Sequence, residues 1–178
     1  MQLVAKLLVV VGLLISCSDS NDPNPTDSGI PNTSADTNTN DASDNDIGSQ
    51  EAIVALISDD DYQSWRCELE PRPSIVGSGH HDKARVCFNP TLEISLQADN
   101  NSHPQGSIAV KELYDSGDVL LGHAVMVKDM PGNDEQSWIW YEALAPDYDE
   151  PWAYGRAASG CFVCHSGGQD FIHTPLPD

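Results

Sequence analysis

The residues best suited to chemistry are Cys161-Phe162-Val163-Cys164-His165, a Cys-x-x-Cys-His sequence near the C-terminus. Two thiols at this spacing can form thioethers with the two vinyl groups of one haem, and the adjacent histidine can then bind the iron. The single motif therefore predicts one covalent haem c, attached to Cys161 and Cys164, with His165 as the proximal iron ligand.

The same pattern has three other interpretations: a thioredoxin-type dithiol, half of a zinc site, or a structural disulfide. The motif lies outside any βαβ alternation, which disfavours the dithiol. It also lacks a second ligand pair at metal spacing, which disfavours zinc. The export signal described next would bring the chain to the compartment where c-type haem is attached, so haem is the preferred interpretation.

Residues 1–16 predict an export signal, because Lys6 precedes an apolar run, at residues 7–15, that is too short to span a bilayer. The following Cys17 gives the signal the ending of a bacterial lipoprotein, with Cys17 lipidated after cleavage; the alternative is an ordinary secretory signal and a chance cysteine. Several acyl chains would anchor the protein stably. Ser18, in place of Asp, resembles the sorting pattern for the outer membrane, so we expect a lipid-anchored protein that faces the periplasm.

Residues 17–50 are rich in Asp, Asn, Ser and Thr and contain no Lys, Arg or aromatic residue. This composition cannot bury enough apolar surface to offset chain entropy, so it predicts a disordered tether. An acidic metal-binding tract is the alternative, but the spacing matches no calcium loop.

The chain of 178 residues has a formal net charge of −20. This charge excludes binding of nucleic acid by phosphate neutralisation and disfavours anionic lipid headgroups as partners. It suits a basic electron-carrier protein, although solubility alone would explain it.

Residues 51–178 are the predicted haem domain. Alternating apolar and polar residues predict strands at Lys83–Phe88, 107–114, Leu120–Lys128 and 137–143. Residues 91–97 fit either a strand or a short helix. The fold class expected is mainly β (α+β), a small antiparallel sheet with a few short helices and one c-type haem near the C-terminus.

Two further short helices are expected in the domain. The aspartates at positions 59–61 look like a cap for a helix that carries Tyr62 and Trp65. Residues 152–158 are expected to form a helix that leads into the haem motif.

Two cysteines remain, Cys67 and Cys87, and in an oxidising compartment such a pair forms a disulfide more often than it stays free. The sixth iron position is open to several side chains, and composition does not choose among them. The candidates are Met126, Met130, His80, His81, His103, His123 and His173. On a strand, Met126 and His123 have opposite facing, so at most one of them points to a given side.

Four segments resemble the cytochrome P-460 family in order and spacing: GSIAVKELY at 106–114, MVKD at 126–129, SWIWYEA at 137–143 and CFVCHSGGQDFIH at 161–173. The resemblance covers about residues 85 to 173. It implies a small, mostly β protein, often a homodimer, with a five-coordinate haem near the C-terminus. It also implies a third covalent bond to the haem from a lysine, which matches Lys111 here. Known activities are hydroxylamine oxidation with nitric oxide chemistry, and relatives without the lysine bind nitric oxide and other small gases.

The residues around Lys111 allow two interpretations. On a strand Lys111 shares a face with Ala109 and Leu113, and a lysine in an apolar pocket loses its proton readily and becomes a nucleophile. The alternative is an outward lysine paired with a neighbouring acid. The resemblance favours the haem cross-link.

Ala124 departs from the pattern that the resemblance implies, because some hydroxylamine-oxidising members carry a distal-pocket Glu at the matching position. A carboxylate there would accept protons from the substrate. We expect Glu112 and His123 to point away from the Lys111 and Ala124 side, so neither replaces it.

The expected function is oxidation of hydroxylamine or a related small nitrogen species at an open iron site of a membrane-tethered monohaem cytochrome. The alternatives are a haem protein that binds nitric oxide or another gas without turnover, and a plain electron-transfer cytochrome with Met126 as sixth ligand.

Overall fold

The computed structural model describes residues 47–74 and 82–177. The predicted signal, Cys17, most of the predicted tether, His80 and His81 lie outside these residues. Within them, no helix is long and apolar enough to cross a membrane.

The described residues form one antiparallel sheet with short helices. The helices are α1 Gln50–Ser58, α2 Pro90–Gln97 and α3 Ser159–His165, with 3₁₀ turns at Asp61–Ser64 and Glu135–Ser137. The strands are β1 Arg66–Cys67, β2 Arg72–Pro73, β3 Lys83–Phe88, β4 Ile108–Tyr114, β5 Leu120–Lys128, β6 Trp138–Leu144 and β7 Ala153–Arg156. The prediction of a small, mainly β fold with an antiparallel sheet is confirmed.

The sheet is a meander in its larger part. Its strand order is β1-β3-β4-β5-β6-β7, and β2 pairs with the other end of β3. The long central strands are joined by short loops, and the alternation of side chains along them gives the sheet two separately packed faces. The four strands predicted from alternation correspond to β3, β4, β5 and β6.

The open choice at residues 91–97 is resolved as a helix by its first residues. Asn89 caps α2, because its side-chain oxygen accepts hydrogen bonds from the Leu92 and Ile108 backbone amides, both at 3.0 Å. Pro90 occupies the first turn, where its fixed φ favours a helix and its missing N–H costs nothing. This local chemistry outweighs the weak alternation that also allowed a strand.

The helix expected at residues 152–158 is wrong, because Ala153–Arg156 is the edge strand β7, paired with β6. The unpaired edge of β6 supplies more backbone hydrogen bonds than an isolated helical turn could. The helix expected to carry both Tyr62 and Trp65 is a 3₁₀ turn that ends at Ser64 and leaves Trp65 extended. The Asp60 side chain makes no capping hydrogen bond there.

Each face of the sheet packs against a different part of the chain. One face, here called the packed face, is covered by α1 and the 3₁₀ turn, through Ile53, Ile57 and Tyr62. The other, here called the cleft face, is covered in part by α2 and the C-terminal segment, through Leu92, Phe171 and Ile172. The Cys-x-x-Cys-His residues belong to the helix α3 beside the cleft face.

Candidate functional site

A cleft lies between the cleft face and the C-terminal segment. The space inside it that water could fill is about 270 Å³, just below the range of about 300–1,000 Å³ that is usual for small-molecule and cofactor sites. Its apolar lining includes Val86, Phe88, Ala109, Leu113, Ala124, Met126, Trp140 and Ile172. Its polar lining includes Lys111, Glu142, Cys161, Cys164, His165 and His173. The three motif residues therefore share one apolar cleft with Lys111 and Ala124.

The two motif cysteines lie on α3, three residues apart, so one helical turn brings both to the same cavity. Both thiols are free; Cys161 is half-buried and Cys164 is exposed. Burial raises the pKa of the Cys161 thiol to about 11, and the nearby Glu142 carboxylate adds to the effect. A redox-active dithiol needs a lowered thiol pKa, so this environment argues against the thioredoxin-type interpretation.

His165 has one ring nitrogen committed and the other available. Its Nδ1 donates a hydrogen bond to the Phe171 carbonyl oxygen at 2.8 Å, which places the proton on Nδ1 and leaves a lone pair on Nε2. Burial lowers the pKa of His165, so the neutral ring is favoured. A neutral imidazole whose second nitrogen is held by a backbone carbonyl is the usual state of a metal-ligating histidine.

The carbonyl that holds His165 belongs to a tight turn at residues 169–172. Gln169 and Ile172 exchange two backbone hydrogen bonds of 3.0 Å. Asp170 and Phe171 between them have φ values of 44° and 70°, a left-handed conformation that costs a bulky residue such as Phe about 1–2 kcal/mol. Gly168 before the turn lies so close to Ile172 that a Cβ would approach its carbonyl at 2.7 Å.

A fully buried ion pair holds this turn against the sheet. Lys128 Nζ lies 2.8 Å from a carboxylate oxygen of Asp170, and neither side chain is exposed. Asp170 also accepts hydrogen bonds from the His103 backbone amide at 2.7 Å and from the Trp138 indole at 3.2 Å. The ion pair thus connects the turn that orients His165 to the end of β5. From the sequence, Lys128 was identified only as part of the MVKD segment, and its partner Asp170 was not predicted.

Lys111 lies at the centre of the cleft face. It pairs with Val86 on β3 and with Ala124 on β5, and Ala109 and Leu113 line the same cleft, as the two-residue period predicted. Burial lowers the pKa of Lys111, although the carboxylate of Glu142 partly opposes this effect. Burial therefore increases the fraction of the neutral, nucleophilic amine at a given pH.

Glu142 is the site residue that the sequence did not reveal. It stands on β6 directly opposite Ala124, so the small Ala124 side chain lies between Lys111 on one neighbouring strand and Glu142 on the other. The signal was present in SWIWYEA, where alternation puts Glu142 on the face of Trp138 and Trp140. Without the pairing register, however, nothing connected it to Lys111.

The candidates for the sixth iron position are separated by the fold. Met126 and His173 line the cleft. The His173 ring lies beside the His165 ring, with the two centroids 5.5 Å apart. The Nε2 of His173 donates a hydrogen bond to the Cys164 carbonyl oxygen at 3.1 Å. The cleft lining does not include Met130, His103 or His123.

Glu112 and His123 lie on the packed face, as expected from their alternation with Lys111 and Ala124. The Tyr62 hydroxyl contacts both, at 3.0 Å from the Glu112 carboxylate and 2.9 Å from His123 Nε2. Cys67 and Cys87, which face each other across β1 and β3, are joined by a disulfide in the same layer.

Among residues 47–74 and 82–177, no group of three or more His, Cys, Asp or Glu side chains is arranged to hold a bare metal ion. A haem iron needs only one or two protein ligands, because the porphyrin supplies the other four. The free thiols, the neutral imidazole and the apolar walls therefore fit a covalent haem, whereas they do not form a zinc site.

Comparison with known proteins leaves the site to be interpreted from its own chemistry. No protein-family profile matches the chain, and no curated protein sequence matches it significantly.

Proposed function

We propose that this protein is a monohaem c-type cytochrome with an open iron site, similar to the cytochrome P-460 family, that oxidises hydroxylamine or a related small nitrogen species. The observation that carries the proposal is the meeting of Cys161, Cys164 and the lone-pair nitrogen of His165 in one apolar cleft. The lowered pKa of Lys111 in the same cleft supports the resemblance to this family.

Haem would supply the redox-active iron, and the chain's residues would hold and orient it. Cys161 and Cys164 would hold the haem by thioethers, each formed by addition of S–H across a vinyl group, which needs no oxidant. His165 would offer Nε2 to the iron, because its Nδ1 is held by the Phe171 carbonyl oxygen.

Lys111 is proposed to bond through Nζ to the porphyrin ring. The new C–N bond replaces one N–H and one C–H, so its formation needs a two-electron oxidant such as a peroxide. The lowered pKa increases the fraction of unprotonated amine, the form that this step requires.

Glu142 is proposed to accept the protons that leave the substrate as it loses electrons. Hydroxylamine oxidation releases protons and electrons together, so a base must lie in the cleft. Ala124 cannot serve, but Glu142 faces the same cavity from the adjacent strand. This carboxylate favours turnover over simple gas binding, because a neutral diatomic gas has no proton to give.

The remaining parts of the proposal concern location and partners. We propose that the protein is exported, lipidated on Cys17 and anchored in the outer membrane facing the periplasm. A basic electron-carrier protein would accept the electrons, given the net charge of −20. Assembly as a homodimer is proposed from the resemblance.

A second candidate function is electron transfer without substrate. Met126 is 8% exposed and lines the cleft two residues beyond Ala124 on the same face. If its sulfur occupied the sixth iron position, the iron would be closed to small ligands. A low-spin, six-coordinate ferric spectrum that Met126→Leu converts to high spin would establish this function instead.

The test is the intact mass and optical spectrum of the full-length protein expressed with a haem-attachment system. We expect one haem that acidified acetone does not extract, a ferrous spectrum that changes on adding carbon monoxide, and a red-shifted ferrous band. The variant Lys111→Ala should keep the haem and lose the red shift, whereas Cys161→Ala/Cys164→Ala should lose the covalent haem.

Turnover decides between enzyme and gas carrier. Hydroxylamine should reduce an added electron acceptor catalytically, and Glu142→Gln should slow this by about 10²-fold or more, the usual contribution of a general base. A haem that acetone extracts, or a reduced spectrum unchanged by carbon monoxide, would overturn the proposal.

A further inference from the structure

The cleft contains one buried hydrogen-bond donor that the described residues do not satisfy. Trp140 is 2% exposed, and its indole Nε1 has no hydrogen-bond partner among residues 47–74 and 82–177. A buried N–H without an acceptor costs about 1–3 kcal/mol, so such a group in a cavity wall indicates a missing acceptor.

The neighbouring Trp138 shows what a satisfied indole in this sheet looks like. It lies two residues earlier on the same face, is fully buried, and donates its Nε1–H to Asp170 at 3.2 Å. The two tryptophans share a strand, a face and a degree of burial. They differ in that Trp138 is outside the cleft lining, whereas Trp140 is part of it.

The position of Trp140 limits which acceptors its indole N–H can reach. Its ring packs edge-to-face on His165, with centroids 5.1 Å apart, and on Phe171 at 6.0 Å. It therefore stands beside the imidazole assigned to the iron. A small guest on the iron binds on the side opposite that imidazole, so a donor next to His165 is poorly placed to reach it.

We propose that Trp140 binds a carboxylate of the porphyrin, by donating its Nε1–H to one propionate oxygen. Porphyrins of this class carry two carboxylates at their edge, and these would be the acceptors that the cofactor itself brings into the cleft. An indole N–H is neutral, so it can stabilise this anion inside a chain whose net charge of −20 would otherwise oppose its binding. The inference rests on the proposed function, because it needs the haem that Cys161 and Cys164 would hold.

The experiment is nuclear magnetic resonance of the full-length protein labelled with ¹⁵N-tryptophan, in the diamagnetic ferrous carbon monoxide form. The Trp140 signal is assigned by its loss in Trp140→Phe, and Trp138→Phe assigns the internal reference. Relative to the haem-free Cys161→Ala/Cys164→Ala protein, the Trp140 indole proton should exchange with solvent about tenfold more slowly, while the exchange rate of the Trp138 indole proton stays unchanged. A factor of ten corresponds to one ordinary hydrogen bond.

A second measurement uses a variant that keeps its attached haem, so it does not depend on how well the haem-free protein folds. In Trp140→Phe with haem attached, the spectral titration of the haem carboxylate should move to higher pH, because the anion has lost a donor. Trp138→Phe should leave this midpoint unchanged.

Two results would overturn the inference: an exchange rate of the Trp140 indole proton that is identical with and without attached haem, or a titration midpoint in Trp140→Phe identical to that of the unsubstituted protein. Neither of these affects haem attachment, which acetone extraction measures separately; an absence of covalent haem would defeat the proposed function itself.

Discussion

The two faces of the sheet are made by alternate residues of the same strands, yet they differ in how their buried polar groups are hydrogen-bonded. On the packed face, Glu112 is 1% exposed and is met by the hydroxyls of Tyr62 and Tyr114, the amide of Gln63 and the guanidinium of Arg85. On the cleft face, the buried Trp140 indole has no acceptor among the described residues. The carboxylate at the centre of the packed face is thus surrounded by protein donors, whereas the proposed haem would supply the acceptor for the cleft-face indole.

The difference also appears in what covers each face. Helix α1 and its 3₁₀ turn place Ile53, Ile57 and Tyr62 directly on the packed face. The cleft face is covered only in part, by α2 and by the C-terminal turn that places Phe171 and Ile172 against it. With haem in the cleft as proposed, stability and ligand binding would depend on opposite surfaces of one sheet, so substitutions on the two faces should have different effects.

The largest effect is expected where the C-terminal turn is attached to the sheet. Asp170→Asn leaves the Lys128 ammonium fully buried without its counter-charge, which should lower the free energy of unfolding by about 3–5 kcal/mol. Urea denaturation of the haem-free and haem-bound protein measures this. The His165 ring should also lose its fixed orientation, visible as a changed iron–histidine stretching frequency in the ferrous haem protein.

The matched control removes both charges. Lys128→Met/Asp170→Leu should cost less than either single substitution, because no uncompensated charge remains. A double variant less stable than both singles would show that the turn depends on the hydrogen bonds of Asp170 to the backbone rather than on the ion pair.

The next largest effect should come from the hydrogen-bond network around Glu112 on the packed face. Tyr62→Phe removes one hydroxyl that serves both Glu112 and His123, and leaving buried polar groups unpaired costs about 1–3 kcal/mol. Tyr154→Phe removes a hydroxyl from the 44% exposed Tyr154 that donates one hydrogen bond to the Gly48 carbonyl at 3.0 Å, and should lower stability by about 1 kcal/mol at most, the usual net value of one hydrogen bond. The haem spectrum should be the same in both variants, and a spectral change in Tyr62→Phe would contradict the separation of the faces.

The sequence predicted the sheet well because alternation is a strong local signal. Four strands, the position of Lys111 and the opposite facing of Glu112 and His123 all follow from a two-residue period. The edge strand β7 was missed because an edge is decided by its neighbour β6, and Ala153–Arg156 has too few residues to show a period. Glu142 was missed for a related reason, since its place beside Ala124 depends on the register of β5 with β6.

Two adjacent residues of β5 allow a direct comparison of the faces. Val125 belongs to the apolar core of the packed face and is 1% exposed, although it also borders the cleft beside Ala124, whose side chain alternates to the cleft face. Val125→Leu should destabilise the protein by about 1–3 kcal/mol through overpacking. Ala124→Leu should cost less than about 1 kcal/mol in the haem-free protein, because its added methyl groups enter open space.

In the haem-bound protein, Ala124→Leu should have a larger effect on the haem than Val125→Leu. Ala124→Leu fills the gap between Lys111 and Glu142, so we expect weaker carbon monoxide binding and loss of the red-shifted band, neither of which Val125→Leu should cause. Equal destabilisation by the two substitutions would mean that the cleft is closed in the haem-free protein.

The smallest expected effect is a pH dependence that belongs to the packed face. Burial lowers the pKa of His123, although the Glu112 carboxylate and Asp60 partly oppose the effect. As the pH falls below an ordinary histidine pKa near 6.5, His123 therefore binds a proton more readily in the unfolded chain than in the folded protein. Stability should be constant above about pH 7 and should fall as the pH drops below 6.5, by at most about 1.4 kcal/mol per pH unit for this one group. Urea denaturation between pH 5 and pH 8 measures this slope, and His123→Gln should make it shallower while leaving the haem spectrum unchanged. If the slope were the same in His123→Gln, the acid sensitivity would have to come from His103 or His165, because burial lowers the pKa values of these histidines too. Both of them contact the C-terminal turn that covers part of the cleft face.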